Sequence, residues 1–155
     1  MTTMRKLPIG IQSFENIRNE NYLYVDKTAL IYQLVTKGKP YFLSRPRRFG
    51  KSLLISTLEA YFQGKKELFK GLAIDQLEQD WNVYPVLHLD LNARKYESEA
   101  DLVAILNQYL EMWEADYGDE MKLRAPEERF FYVIRRAWEQ TGRQVVVLID
   151  EYDKP

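Results

Sequence analysis

The 155-residue chain contains no cysteine, which excludes disulfide frameworks, thiolate metal sites and cysteine nucleophiles and suits a reducing cytoplasm. Neither sign of charge is in excess. The 22 Lys and Arg residues face 23 Asp and Glu, giving a net charge of -1, so no global basic field attracts nucleic acid or an acidic membrane and any polyanion site must be local. No run of about 18 apolar residues occurs, as a spanning helix requires, and residues 1–10 hold no uninterrupted apolar segment of the signal-peptide kind. The expectation is a soluble, cytoplasmic protein. Internal repeats and low-complexity tracts are missing too, and the charged residues, 29% of the chain, are interspersed rather than blocked, which argues against disorder.

What is present is enough apolar material, 46% of residues, for one ordinary domain spanning 1–155. Pro8 to Glu20 has irregular periodicity and is expected to be a lead-in segment with at most a short turn. From Asp26, a good N-cap, Leu30, Ile31, Leu34 and Val35 recur at helical spacing up to Gly38. Tyr41 to Leu43 form a short β-prone run that ends at Ser44. Beyond Ser52, the residues Leu54, Leu58, Tyr61 and Phe62 fall on one helical face, and Gly64 closes the element. A mixed segment follows Gly71, then Val86 to Asp90 read as an interior parallel strand. Ser98 caps a helix whose apolar face is Leu102, Ile105, Leu106, Tyr109 and Trp113, ending near Gly118. Pro126, with Glu127 and Glu128 in the first turn, opens another that buries Phe130, Val133, Ile134 and Ala137 and stops at Gly142. Val145 to Ile149 are five consecutive β-favouring apolar residues, expected to be covered on both faces. Strands alternate with helices, so the class is α/β with a mostly parallel sheet.

Between the Tyr41 strand and the following helix stand Arg45, Pro46, Arg47, Arg48, Phe49, Gly50, Lys51 and Ser52, with Leu53 next. The phosphate-binding pattern G-x-x-x-x-G-K-[ST] is matched except for its first glycine. Successive backbone N–H groups at a helix N-terminus can curl around an anion there, and Gly50 permits the close approach. Lys51 reaches the β- and γ-phosphates as a point charge, and the Ser52 hydroxyl is an oxygen ligand for magnesium. Alone, Gly-Lys-Ser is equally a turn leading into a capped helix. The apolar strand ending in Asp150 and Glu151 supplies the other half of such a site: an Asp that holds magnesium and a Glu that positions and deprotonates the attacking water. Catalytic roles therefore fall to Lys51 and Glu151, nucleotide contacts to residues 45–53, and metal contacts to Ser52 and Asp150, with ATP and Mg2+ as the cofactors.

The stretch Ser44 to Ser52 resembles the Ser-Arg-Pro-Arg-Arg-Phe-Gly-Lys-Ser loop of the AAA-ATPase-like family of bacterial proteins. The resemblance extends through Pro8 to Gln12, Tyr24 to Thr28, His88 to Leu91 and Asp150 to Asp153. Arg45 in place of the first loop glycine looks like the family's own version, exchanging backbone freedom for a cation beside phosphate. The resemblance implies a P-loop three-layer sandwich, incomplete at the C-terminus, because in similar ATPases a later strand inserts between the phosphate-loop strand and the acidic strand. It also implies a longer protein in which a sensor region and a nuclease-like domain follow the ATPase part. DNA is a partner only through that domain. No membrane partner is expected, and the oligomeric state is not legible.

Other residues are weighed against simpler roles. Arg47 and Arg48 are explained by nucleotide alone, and no wider basic stripe favours a DNA backbone. His88, the only histidine, lies in an apolar strand and stays outside the site. Asp90, at a strand end where α/β ligands bind, either joins the magnesium and water network or serves the turn. The Tyr22 to Lys27 segment either flanks adenine or uses Asp26 as a helix cap. Trp81, Trp113 and Trp138 are expected in core packing or on shielded surface. The leading function is an ATPase module that drives an attached effector, with turnover by this chain alone expected to be weak. The rivals are a non-hydrolysing nucleotide sensor and a DNA-associated interaction module.

Overall fold

In the computed structural model the described residues are 13–36, 51–91 and 98–150, with the backbone alone for Lys51 and Ser52. They form two compact units that divide between Val83 and Tyr84.

The first unit is helical. It comprises α1 (Phe14–Asn19), α2 (Thr28–Thr36), α3 (Lys51–Phe62), a 3-10 turn (Lys66–Phe69) and α4 (Ala73–Leu77). The lead-in segment thus holds a helix. Ser13 caps it by accepting from the Asn16 amide, and Phe14 and Ile17, three residues apart, share one wholly buried face. Six residues are too few for periodicity to register, so packing rather than propensity holds α1 in place. Phe14 lies 4.7 Å from Phe69 and 5.2 Å from Tyr24, and Phe69 lies 5.2 Å from Trp81. Around this aromatic cluster Ile31, Ile55, Leu58, Leu68 and Ile74 complete the core. The mixed segment after Gly71 contains α4, which is tied down by side chains: Asp26 Oδ2 accepts from the Ala73 amide at 2.8 Å and Thr28 Oγ1 from the Ile74 amide at 3.1 Å. The strand expected at Tyr41 to Ser44 lies outside the described residues, as does Gly38.

The second unit is α/β. Strands β1 (Val86–Asp90) and β2 (Val146–Asp150) pair in parallel, with Val86 opposite Val146 and Asp90 opposite Asp150. Two helices, α5 (Glu99–Tyr117) and α6 (Pro126–Thr141), form the crossover between them, as a parallel pair requires. Ser98 caps α5 by accepting from the Asp101 amide, and Gly142, with φ 66, ends α6 by donating to the Trp138 carbonyl at 2.8 Å. The core joins Leu87, Leu89 and Leu91 to Ile105, Leu110, Trp113 and Val133. Fully burying one such side chain stabilises the fold by about 1.5–3 kcal/mol.

An ion pair also links the helices. Arg129 donates to both carboxylate oxygens of Glu114 and to Asn107 Oδ1, and both charged residues are buried. Such a pair is satisfied rather than strongly stabilising, because desolvation offsets its Coulomb attraction. Donation to the Glu114 carboxylate raises the Arg129 guanidinium above its ordinary value, against burial that lowers it.

Two expectations are corrected here. β2 is not covered on both faces, since Val147 and Ile149 remain 36% and 51% exposed. Its inward-facing neighbours on β1, Leu87 and Leu89, take the contacts with α5 and α6 instead. Trp138 is 56% exposed, whereas Trp81 and Trp113 are buried. It lies off the α6 stripe of Phe130, Val133, Ile134 and Ala137 that faces the core.

Candidate functional site

Helix α3 begins at Lys51, directly after Gly50 in the chain. Lys51 and Ser52 therefore occupy the first turn of a twelve-residue helix, at the positive end of its macrodipole. Leu53, half-buried, is the third residue of α3, and its carbonyl accepts from Thr57 Oγ1 at 2.7 Å. Arg45, Pro46, Arg47, Arg48, Phe49 and Gly50 lie outside the described residues, as does Glu151, and of Lys51 and Ser52 the helical backbone is described.

Asp150 closes β2 at its C-terminal end and is only 4% exposed. Its backbone carbonyl accepts from the Leu91 amide at 2.8 Å, which carries the parallel pairing one step past Asp90. Asp90 is its register partner on β1, so two carboxylate residues stand side by side at the C-terminal edge of the strands, about 4.8 Å apart along the hydrogen-bonding direction. The Tyr109 hydroxyl of α5 braces that corner, accepting from the Asp90 amide at 3.3 Å and donating to the Asp90 carbonyl at 3.2 Å. In open α/β sheets this is the edge where ligands bind. Sequence reading places Asp90 at a strand end but does not reveal that it neighbours Asp150, because register between strands separated by two helices has no local signature.

Among the described residues no three His, Asp or Glu side chains are grouped to hold a metal ion. Magnesium does not need such a cage when a phosphate ligand is present, since one or two carboxylates and the phosphate oxygens suffice. A buried Asp at a strand end fits that demand. His88 sits half-buried in the middle of β1, away from the strand end.

The Tyr22 to Lys27 segment has a scaffold role. Asp26 Oδ1 accepts from the Thr28 amide at 2.9 Å and from the Thr28 hydroxyl, while Oδ2 reaches α4. Burial pushes the Asp26 carboxyl upward, but the bonds from Thr28 and Ala73 outweigh it and hold the group below its ordinary value. Burial raises the Tyr24 hydroxyl, with the Thr57 side chain of α3 acting in the opposite direction. A cavity of about 390 Å³ opens beside α5 and α6, lined in part by Glu111, Glu114, Lys122 and Arg129. None of the candidate residues lines it, and its buried cation is already engaged by Glu114 and Asn107.

Among the described residues no helix is long and apolar enough to cross a membrane. No solved structure matches the chain. It is similar to an uncharacterized protein in the vnfD 5' region of Azotobacter chroococcum mcd 1, at 44% identity over 153 residues, covering 97% of this chain and 30% of that protein. The chain therefore spans about 30% of the length of the curated relative it matches. The family model described as predicted AAA-ATPase matches residues 8–155. The chain belongs to this AAA-ATPase-like family.

Proposed function

We propose that the chain is a nucleotide-binding module that holds MgATP through a P-loop of residues 45–53, with Asp150 and Glu151 as the acidic strand end. The observation that supports the reading is that Lys51 and Ser52 are the first two residues of α3, since a helix N-terminus favours phosphate. Its chemistry suits phosphate: backbone donors to the oxygens, the Lys51 ammonium to the β- and γ-phosphates, and the Ser52 hydroxyl to magnesium. Asp150 would complete the magnesium shell through water, and Glu151 would orient and deprotonate the attacking water. The fold would then be the P-loop sandwich with a mostly parallel sheet that the family resemblance implies. In the longer proteins of the family, hydrolysis would drive an attached effector.

Calorimetry with MgATP tests this reading. Lys51→Ala removes a charged hydrogen bond to phosphate, an interaction of about 2 to 3 kcal/mol, and most of the binding should go with it. Equal affinity in the two proteins would remove the phosphate-loop assignment.

A further inference from the structure

Helix α3 is gripped from the side by the segment that precedes the basic loop. Ser56, one helical turn beyond Ser52, accepts a hydrogen bond from the Phe14 amide through Oγ at 2.9 Å. Phe14 is the first residue of α1, so its N–H is one of the helix-start donors that no carbonyl of its own helix can take. The Phe14 ring is wholly buried between Tyr24 and Phe69, so α1 cannot follow a displaced α3 without opening the aromatic cluster. Part of this framework is anchored by bonds away from α3. Arg18 donates to the Leu68 and Lys70 carbonyls, each at 2.7 Å. Asp26 and Thr28 fasten the start of α2 to the Ala73 and Ile74 amides. Ser56 in the second turn thus connects this framework to the helix whose first residues carry the phosphate-binding pattern, while Tyr61 in the last turn donates to Glu78 at 2.6 Å and packs on Trp81.

We propose that Ser56 is a positioning residue for phosphate binding: its bond to Phe14 sets the axial placement of α3 and thereby of Lys51 and Ser52. The inference rests on the nucleotide reading given above. Its force comes from the steepness of short polar contacts, which weaken sharply beyond about 3.2 Å, so a small slide of the helix is felt at every phosphate contact it carries.

MgATP titration and thermal unfolding of the chain and four variants test it. Ser56→Ala should bind MgATP about tenfold more weakly, because every phosphate contact carried by α3 is lengthened together. Ser56→Thr keeps the hydroxyl and should restore affinity. Ser56→Cys keeps the volume with a weaker acceptor, should fall between the two, and serves in place of the alanine variant if that one does not fold. Ser98→Ala removes the N-cap of α5, outside this framework, and should lower the unfolding temperature while leaving affinity unchanged. Ser56→Ala binding as tightly as wild type would overturn the inference. So would Ser98→Ala weakening binding as much as Ser56→Ala does, because the effect would then be one of general stability. Absence of MgATP binding by wild type would reject the nucleotide reading itself, and the inference with it, before any variant is compared.

Discussion

Asp26 bridges two helices with one carboxylate, taking the Thr28 amide and hydroxyl on one oxygen and the Ala73 amide on the other. Because these bonds favour the ionised form, its folded pKa lies below the ordinary 3.8. A depressed carboxyl pKa contributes stability that is fully present above the unfolded value and disappears as pH falls through the folded value. Thermal unfolding scanned from pH 6 down to pH 2 should therefore show an acid limb to which Asp26 contributes. Asp26→Asn should flatten part of that limb and cost about 1 kcal/mol at neutral pH, since the amide places a donor against the Ala73 N–H. An unchanged acid limb in Asp26→Asn would show that the bridge contributes nothing. The helix-capping side of this residue is legible in the sequence because Asp26 and Thr28 are only two positions apart on the chain. Its reach to Ala73, 47 residues away, is not, and neither is the engagement of Glu114 by Arg129 across two helices. Both depend on packing that no local pattern encodes.

Among the helices, stop signals carry more information than starts. Gly64 after α3 and Gly142 after α6 both have positive φ, at 70 and 66, the conformation that glycine adopts without the Cβ conflict other residues meet. Their surroundings differ. A Cβ on Gly142 would meet nothing within 4 Å, whereas one on Gly64 would meet the Trp81 carbonyl and Val83 Cγ2, each at 2.9 Å. Gly142→Ala should thus cost only the left-handed backbone term of about 1–2 kcal/mol. Gly64→Ala should cost more, because a backbone oxygen cannot swing aside. Chemical denaturation of both variants measures the difference, and equal losses would mean that the chain around Trp81 gives way freely. The long helices α5 and α6 are legible from their caps and apolar stripes, down to Ser98, Pro126 and Gly142. The short ones, α1 and α4, are not: with six and five residues they have too few turns to show a period, and tertiary contacts to Phe69, Ser56, Asp26 and Thr28 hold them instead.

For the molecule as a whole, the parallel direction of β1 and β2 follows from two apolar runs joined through helices, and the sequence pattern anticipates that direction but not that the two strands are neighbours. Coverage of β2 is not anticipated, because five apolar residues in a row do not say which side chains meet a neighbour; Val147 and Ile149 stay open to solvent while Leu87 and Leu89 are buried. The chemistry proposed for the strand end gives Asp150 and Glu151 separate duties, and these can be told apart. Asp150 is nearly buried at the tip of β2, a place suited to holding a divalent cation through water beside a phosphate. Asp150→Asn should leave nucleotide binding without magnesium close to normal but erase most of the gain in ATP affinity that magnesium brings. Glu151→Gln keeps size and polarity but removes the base. In a longer relative carrying the matching residue, it should retain MgATP binding while phosphate release slows by about 10²–10⁴-fold, the usual contribution of a general base. Titrations with and without magnesium, paired with phosphate-release assays, separate the two roles. Wild-type turnover in Glu151→Gln would strip that residue of its catalytic role, and an undiminished magnesium response in Asp150→Asn would leave Asp150 as a structural strand end. Loss of binding in both variants would mean that the two carboxylates act as one unit rather than as ligand and base.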